Sequence, residues 1–199
     1  LVKEYTIQLE SRTARDCFKI AAFSLELAER ASDSWEIDHH VATGITFTAF
    51  SIEAMLNHFG CIYYEDWNVI KGGRKDTHKK LFKAVNLPNY MGCSTYQIAT
   101  SCFVMRDNLA HGKTIQETIS LELPSEISSD NTATEIISIK SASFRDLNID
   151  ILKKFINVAK NIERDIEENG FYPQPEGTPE NKKSKLQECP LSTSGVRVW

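Results

Sequence analysis

Apolar residues recur along much of this chain at three- and four-residue spacing, the signature of amphipathic helices, and four long segments carry it. From Thr13 to Ala31 the stripe is Ala14, Cys17, Phe18, Ala21, Leu25 and Ala28, with Thr13 placed to cap it. From Glu36 to Phe59 it runs through Val41, Ile45, Ala49, Ile52, Leu56 and Phe59. There Phe47, Phe50 and Ala54 add a second apolar side, which predicts a central helix buried on more than one face. Lys71-Gly72-Gly73-Arg74 reads as a turn, and Asp76 to Asn86 as a short helix with Leu81, Phe82 and Val85 inward, closed by Pro88. The third long segment, Thr95 to Ala110, places Ala99, Cys102, Phe103, Leu109 and Ala110 on one stripe. The last, Phe144 to Glu168, turns Ile151, Leu152, Phe155, Ala159, Ile162 and Ile166 inward, with Gly170 just past its end.

Two stretches depart from that period. Thr118–Leu123 alternates through Ile119, Leu121 and Leu123, and Thr134–Lys140 carries Ile136, Ile137 and Ile139, with a polar link from Pro124 to Thr132. Beyond Pro173 the chain is rich in Pro, Glu, Lys, Ser and Thr. The expected fold is therefore mainly all-α: an antiparallel bundle of about four long helices over residues 1–170. A small β-hairpin is inserted near residues 115–140, and residues 171–199 form a flexible tail without its own core.

Composition narrows the class. Of 199 residues, 41% are hydrophobic and 25% charged, which suits a folded domain. A net charge of −4 argues against a surface coated for nucleic acid, though not against a local basic patch. No apolar run reaches bilayer length and the opening residues carry no secretory pattern, so no membrane partner is expected. The five cysteines include no Cys-x-x-Cys pair, and Cys17 and Cys102 fall inside apolar stripes, pointing to free thiols in a reducing, cytoplasmic setting.

The third long segment is where periodicity and chemistry disagree. Its stripe calls for an apolar residue at 106, and the residue is Arg106. A buried guanidinium without a partner costs several kcal/mol, so Arg106 needs an acid or an opening to solvent. His111 follows five residues later, rotated about 140° from it on a continuous helix, but Gly112 ends the helix and frees the ring to turn. Asp107 stands four before His111, a spacing at which a carboxylate orients an imidazole, and Asn108 adds a polar group at the same helix end. An arginine to clamp a phosphodiester and a histidine to move a proton at an RNA 2′-hydroxyl suit metal-free phosphoryl chemistry. The competing reading has Arg106 paired with Asp107 or another acid and His111 simply closing the helix.

The run Arg106-Asp107-Asn108-Leu109-Ala110-His111-Gly112 resembles the motif of the HEPN superfamily, in which an arginine, a polar residue and a histidine stand near the end of a bundle helix. Phe50-Ser51-Ile52-Glu53-Ala54-Met55-Leu56-Asn57 is similar to the preceding long helix of such domains, and the resemblance spans roughly Thr13 to Gly170. It implies a homodimeric helical bundle with two motifs meeting at the interface. Many members are endoribonucleases needing neither metal nor cofactor, in toxin–antitoxin, phage-defence or RNA-processing systems; others only bind RNA, a nucleotide or a partner protein. By resemblance Arg106 and His111 are catalytic with Asp107 in support, RNA is the substrate, and an antitoxin is a possible regulatory partner. Where one toxin subgroup carries a modified tyrosine two residues past the histidine, this chain has Lys113, which puts that mode of regulation in doubt.

Lys71, Arg74, Lys75, Lys79, Lys80 and Lys83 set six basic residues against the single acid Asp76, enough to attract an RNA backbone or simply a solvated face. Glu53 and Asn57, four apart, are read as a polar pair supporting Arg106 or facing solvent. His39, His40 and His58 complete no metal-ligand spacing, and the chain shows no phosphate-cradling glycine loop or hydrolase triad.

Overall fold

Asp33 decides where the longest helix begins: its carboxylate accepts from the backbone N–H groups of Trp35 (2.8 Å) and Glu36 (3.2 Å). The computed structural model describes residues 8–9, 12–67, 72–112, 116, 118–120, 122, 131–132, 136, 139–140, 144–175, 177–192 and 196–197. Its elements in chain order are β1 (Gln8–Leu9), α1 (Thr13–Arg30), α2 (Ser34–Tyr63), α3 (Arg74–Ala84), α4 (Ser94–Ala110), α5 (Ile149–Asn169) and β2 (Val196–Arg197). The chain is mainly helical.

Helix α2 is the hub, touching α1, α3, α4 and α5, while α5 also packs on α1 and α4. Its stripe is fully buried from Val41 through Phe59, and the core continues through Phe82, Phe103, Leu152, Ile162 and Ile166. At Gly44, Leu152 of α5 comes so close that a Cβ would lie 2.5 Å from its methyl carbon, so any larger residue would push the leucine aside. Thr48 and Ser51 enter the core because their hydroxyls donate to the carbonyls of Gly44 (2.7 Å) and Thr48 (2.8 Å). No helix among the described residues is long and apolar enough to cross a membrane.

The differences from the sequence reading have local causes. Arg12, not Thr13, stands at the cap position of α1, and no side chain caps it. Phe47 and Phe50 do not form a second core face: the rings meet edge to face at 5.8 Å and Phe50 is 38% exposed. The α4 stripe ends at Arg106, with Leu109 only half-buried and Ala110 exposed. Helix α5 begins at Ile149 rather than Phe144, because the Asn148 side chain accepts from Ile151 N–H (2.9 Å) and caps it there. Much of the expected hairpin lies outside the described residues. Within it, Asn131, Thr132 and Ile136 are helical, and residues 118–120 pair with no strand among the described residues.

The segment read as a flexible tail is anchored. Leu186 and Leu191 are buried, and Phe171 bridges to Lys185. Glu167 accepts from the backbone N–H groups of Glu188 (2.9 Å) and Cys189 (2.6 Å), and Glu163 accepts from that of Leu191 (2.7 Å). The Glu188 carboxylate takes hydrogen bonds from Arg12 (3.0 Å) and Tyr172 (2.7 Å) and contacts the His58 ring (3.2 Å). Beyond it β2 pairs antiparallel with β1, Gln8 against Arg197 and Leu9 against Val196. Residues near both ends of the chain are thus tied together. Glu167→Ala strands two part-buried amides, and we expect a loss of about 2 kcal/mol in urea unfolding with faster amide exchange at Glu188 and Cys189.

Candidate functional site

Helix α4 carries its buried stripe Tyr96, Ala99, Cys102 and Phe103 one turn further onto Arg106, which is 9% exposed. Glu53, on the facing stretch of α2, receives the guanidinium in bidentate fashion, each pair at 3.1 Å. Arg106 Nε donates to Asp107 at 2.7 Å, and the guanidinium lies over the Phe50 ring, 5.1 Å from its centroid. Burial alone would weaken its hold on the proton. The Glu53 hydrogen bonds and charge, with those of Asp107, outweigh burial and raise its pKa further.

Arg74, the first residue of α3, closes the arrangement. Its Nε lies 2.7 Å from Glu53, its Nη1 3.3 Å from Asp107, and its guanidinium sits 4.7 Å from the centre of the Phe103 ring. Glu53, Arg106, Asp107 and Arg74 form a ring of alternating charge with no net charge, joining α2, α3 and α4. Burial pushes the Asp107 carboxyl up, but the Arg74 hydrogen bond and the two guanidinium charges prevail and hold it below the usual range.

Two sequence expectations fail here. Asp107 does not orient His111: both its oxygens face guanidinium groups, which are always charged and outcompete a ring that can be neutral. His111 closes α4 with its backbone N–H on Asp107 O (2.9 Å) and is exposed; among the described residues its ring makes no hydrogen bond. It stands one turn beyond Asp107, at the C-cap of α4. Asn57 does not join Glu53 either, because it accepts from Trp67 Nε1 (3.0 Å). Asn108 is exposed at the helix end.

Of the basic segment, Arg74 alone enters the ion-pair ring. Lys75, Lys79 and Lys83 are exposed on α3, Lys80 lies over the Tyr64 ring at 3.9 Å, and Lys71 falls outside the described residues. The sequence reading missed His78, which is buried and hydrogen-bonds through Nδ1 to the Tyr96 hydroxyl at 2.8 Å. Burial, then the nearby Arg74 charge, lower its pKa to about 4. The signal was available: 78 precedes Leu81 and Phe82 by three and four positions on the inward stripe of α3. His39 stacks on Trp35 with centroids 5.6 Å apart, and His40 stands 3.7 Å from Glu36. Among the described residues no group of three or more His, Cys, Asp or Glu is placed to hold a metal ion.

Compared with protein-family models, curated proteins and solved structures, the chain matches none. The site therefore has to be read from its own chemistry. Two arginine forks, one anchored by a part-buried glutamate and one at the rim, share the Asp107 carboxylate.

Glu53→Ala leaves Arg106 buried without its bidentate partner and should cost about 3 kcal/mol in urea unfolding, whereas Asp107→Ala, at the exposed rim, should cost under about 1 kcal/mol. Because the Asp107 pKa is lower in the folded state, its contribution to stability is full above the ordinary carboxylate pKa. It fades as pH falls through the lowered one. In Asp107→Ala that share of the acid-side loss should disappear from a pH series of unfolding midpoints.

Proposed function

We propose that this chain is a metal-independent endoribonuclease of the HEPN type. It is built on an antiparallel four-helix bundle of α1, α2, α4 and α5, and acts as a homodimer in the cytoplasm. The observation that carries this reading is a guanidinium fixed by Glu53, with an exposed imidazole one turn beyond its rim partner Asp107. In the proposed reaction a scissile phosphate displaces the Asp107 carboxylate from Arg106 Nε and Arg74. The phosphate takes the place of Asp107 on the two guanidinium groups, the displaced carboxylate turns to solvent, and Glu53 goes on holding Arg106.

His111 then moves the proton. The 2′-oxygen attacks phosphorus as its proton leaves, the bond to the 5′-oxygen breaks, and that oxygen takes up a proton, giving a 2′,3′-cyclic phosphate and a 5′-hydroxyl. In a homodimer the two copies of His111 supply the base and the acid. Arg106 and Arg74 stabilise the charge developing on the phosphoryl oxygens, and Lys75, Lys79 and Lys83 draw in the RNA backbone. A toxin or phage-defence role, with an antitoxin or other regulatory partner, follows from the resemblance.

A second reading, a non-catalytic module of the same type that binds RNA, a nucleotide or a partner protein, is favoured by one specific feature. The ring is closed and neutral, so each arginine already has carboxylate partners and Arg106 has a sufficient structural role.

Purified protein incubated in EDTA with mixed RNA separates the two. The nuclease reading expects cleavage to 2′,3′-cyclic ends, abolished in His111→Ala, which alters only an exposed side chain, and in Arg106→Ala. Intact RNA with folded, dimeric protein selects the binding module. Cleavage that survives both substitutions removes the site from the chemistry.

A further inference from the structure

The lysines of α3 are regularly placed. Lys75, Lys79 and Lys83 are exposed and recur every fourth residue, a row about 12 Å long at the usual helical rise. The row begins beside Arg74 of the ion-pair ring, and the only acid on the helix is Asp76. At its far end Asn86 turns the chain in the left-handed region, with φ 61°, and its side-chain amide donates to Asn169 O at 3.1 Å. The close of α3 is thereby pinned to the close of α5, where the C-terminal segment sets out.

That segment folds back on itself there. Phe171 bridges to Lys185, and the Tyr172 N–H donates to Ser184 O at 2.9 Å. The returning stretch, Asn181-Lys182-Lys183-Ser184-Lys185, carries three exposed lysines and no acid. Lys185 lies 4.3 Å from the centre of the Phe171 ring and donates to Glu168 O, and Lys183 reaches the same ring at 6.0 Å. Ala84 and Asn86, from the end of α3, line one groove together with Phe171, Gln174 and Lys183, and none of its described lining residues is acidic. Since Lys83 directly precedes Ala84, the row on α3 and the lysines of the C-terminal segment meet across this groove.

In a chain of net charge −4, a continuous surface of six lysines selects for a polyanion. The even spacing on α3 suits a polymer with one charge per repeat, and the row starts at the ring. We propose that the C-terminal segment is the far half of an RNA-binding surface. A single strand leaves the ion-pair ring, follows Lys75, Lys79 and Lys83 along α3, and ends on Lys182 and Lys183. This rests on the reading that RNA occupies the ring, whether or not it is cut there. The contacts are to phosphates, so the surface selects for the length of the strand rather than its sequence. The docking of the segment on α5 then serves to hold these lysines beside the end of α3.

The test is fluorescence anisotropy of the full chain with 2′-O-methyl RNA, as a trinucleotide and as a strand of sixteen nucleotides. Such RNA has no 2′-hydroxyl to attack phosphorus, so binding is read apart from cleavage. A protein that cuts RNA but is indifferent to Lys183→Glu keeps the nuclease reading and loses this one. The expected result is tighter binding of the longer strand, with a steeper fall in affinity as salt rises. Lys183→Glu should weaken the longer strand roughly fivefold and flatten its salt slope by about 0.7, the share of one phosphate contact on a single strand. The trinucleotide, too short to reach from the ring to Lys183, should be unaffected. Lys154→Glu, the same charge change at an exposed position near the other end of α5, should alter neither. Lys183→Glu binding no more weakly than Lys154→Glu overturns the proposal. So do equal affinities for the two lengths, no binding to folded wild type, or an acidic peptide of equal charge that binds as tightly as the longer strand.

Discussion

One carboxylate holds three helices in register. Arg106 ends the buried stripe of α4, and α4 can close on α2 there only because Glu53 meets the guanidinium with both oxygens. Without that pair, the helix end would carry a largely buried cation held by Asp107 alone, at a cost of about 3 kcal/mol. Glu53 has a further lone pair for Arg74, so the same group fixes the start of α3. Arg74 in turn lies on Phe103 and Arg106 on Phe50, placing each cation over an aromatic face. The start of α3 and the rim around Asp107 both connect to this pairing through Arg74.

The helices were legible because burial follows the helical period: residues chosen as inward on α2, α3 and α5 are, with few exceptions, those the core encloses. The conflict at position 106 was legible for the same reason, since a cation on an apolar stripe demands an explanation. What the spacing could not supply was the choice of partners. Asp107 is four residues from His111 and adjacent to Arg106, and sequence distance alone left both partners open. The decision rests with Arg74, 33 positions away, whose second guanidinium turns Asp107 into the bridge of a ring. Asn57 shows the same limit, because Trp67 claims it through a turn that no periodicity encodes.

The C-terminal segment was misread for a different reason. Its composition is that of a solvated tail, and composition averages over residues while docking does not. Two buried leucines and a few backbone amides are enough, provided that α5 offers acceptors in the right places. Glu163 and Glu167 do so one helical turn apart. In the sequence they look like an ordinary charged outer face, since nothing in a glutamate's position tells whether it faces water or another segment's N–H groups.

Neutrality at the ion-pair ring bears on what the site can do. An open arginine pair would attract every anion, whereas a closed ring admits only one able to outbid a carboxylate already in place. Asp107 is the natural point of entry, because its side chain is 40% exposed against 26% for Glu53 and it makes single contacts where Glu53 makes a bidentate one. On the proposed reading, a phosphate arriving there takes over the contacts of Asp107, whose carboxylate turns to solvent, and leaves Arg106 on Glu53. On the same reading, Arg106 is structural in the resting protein and phosphate-binding in a loaded one, because its anchor Glu53 is not the partner that the phosphate displaces.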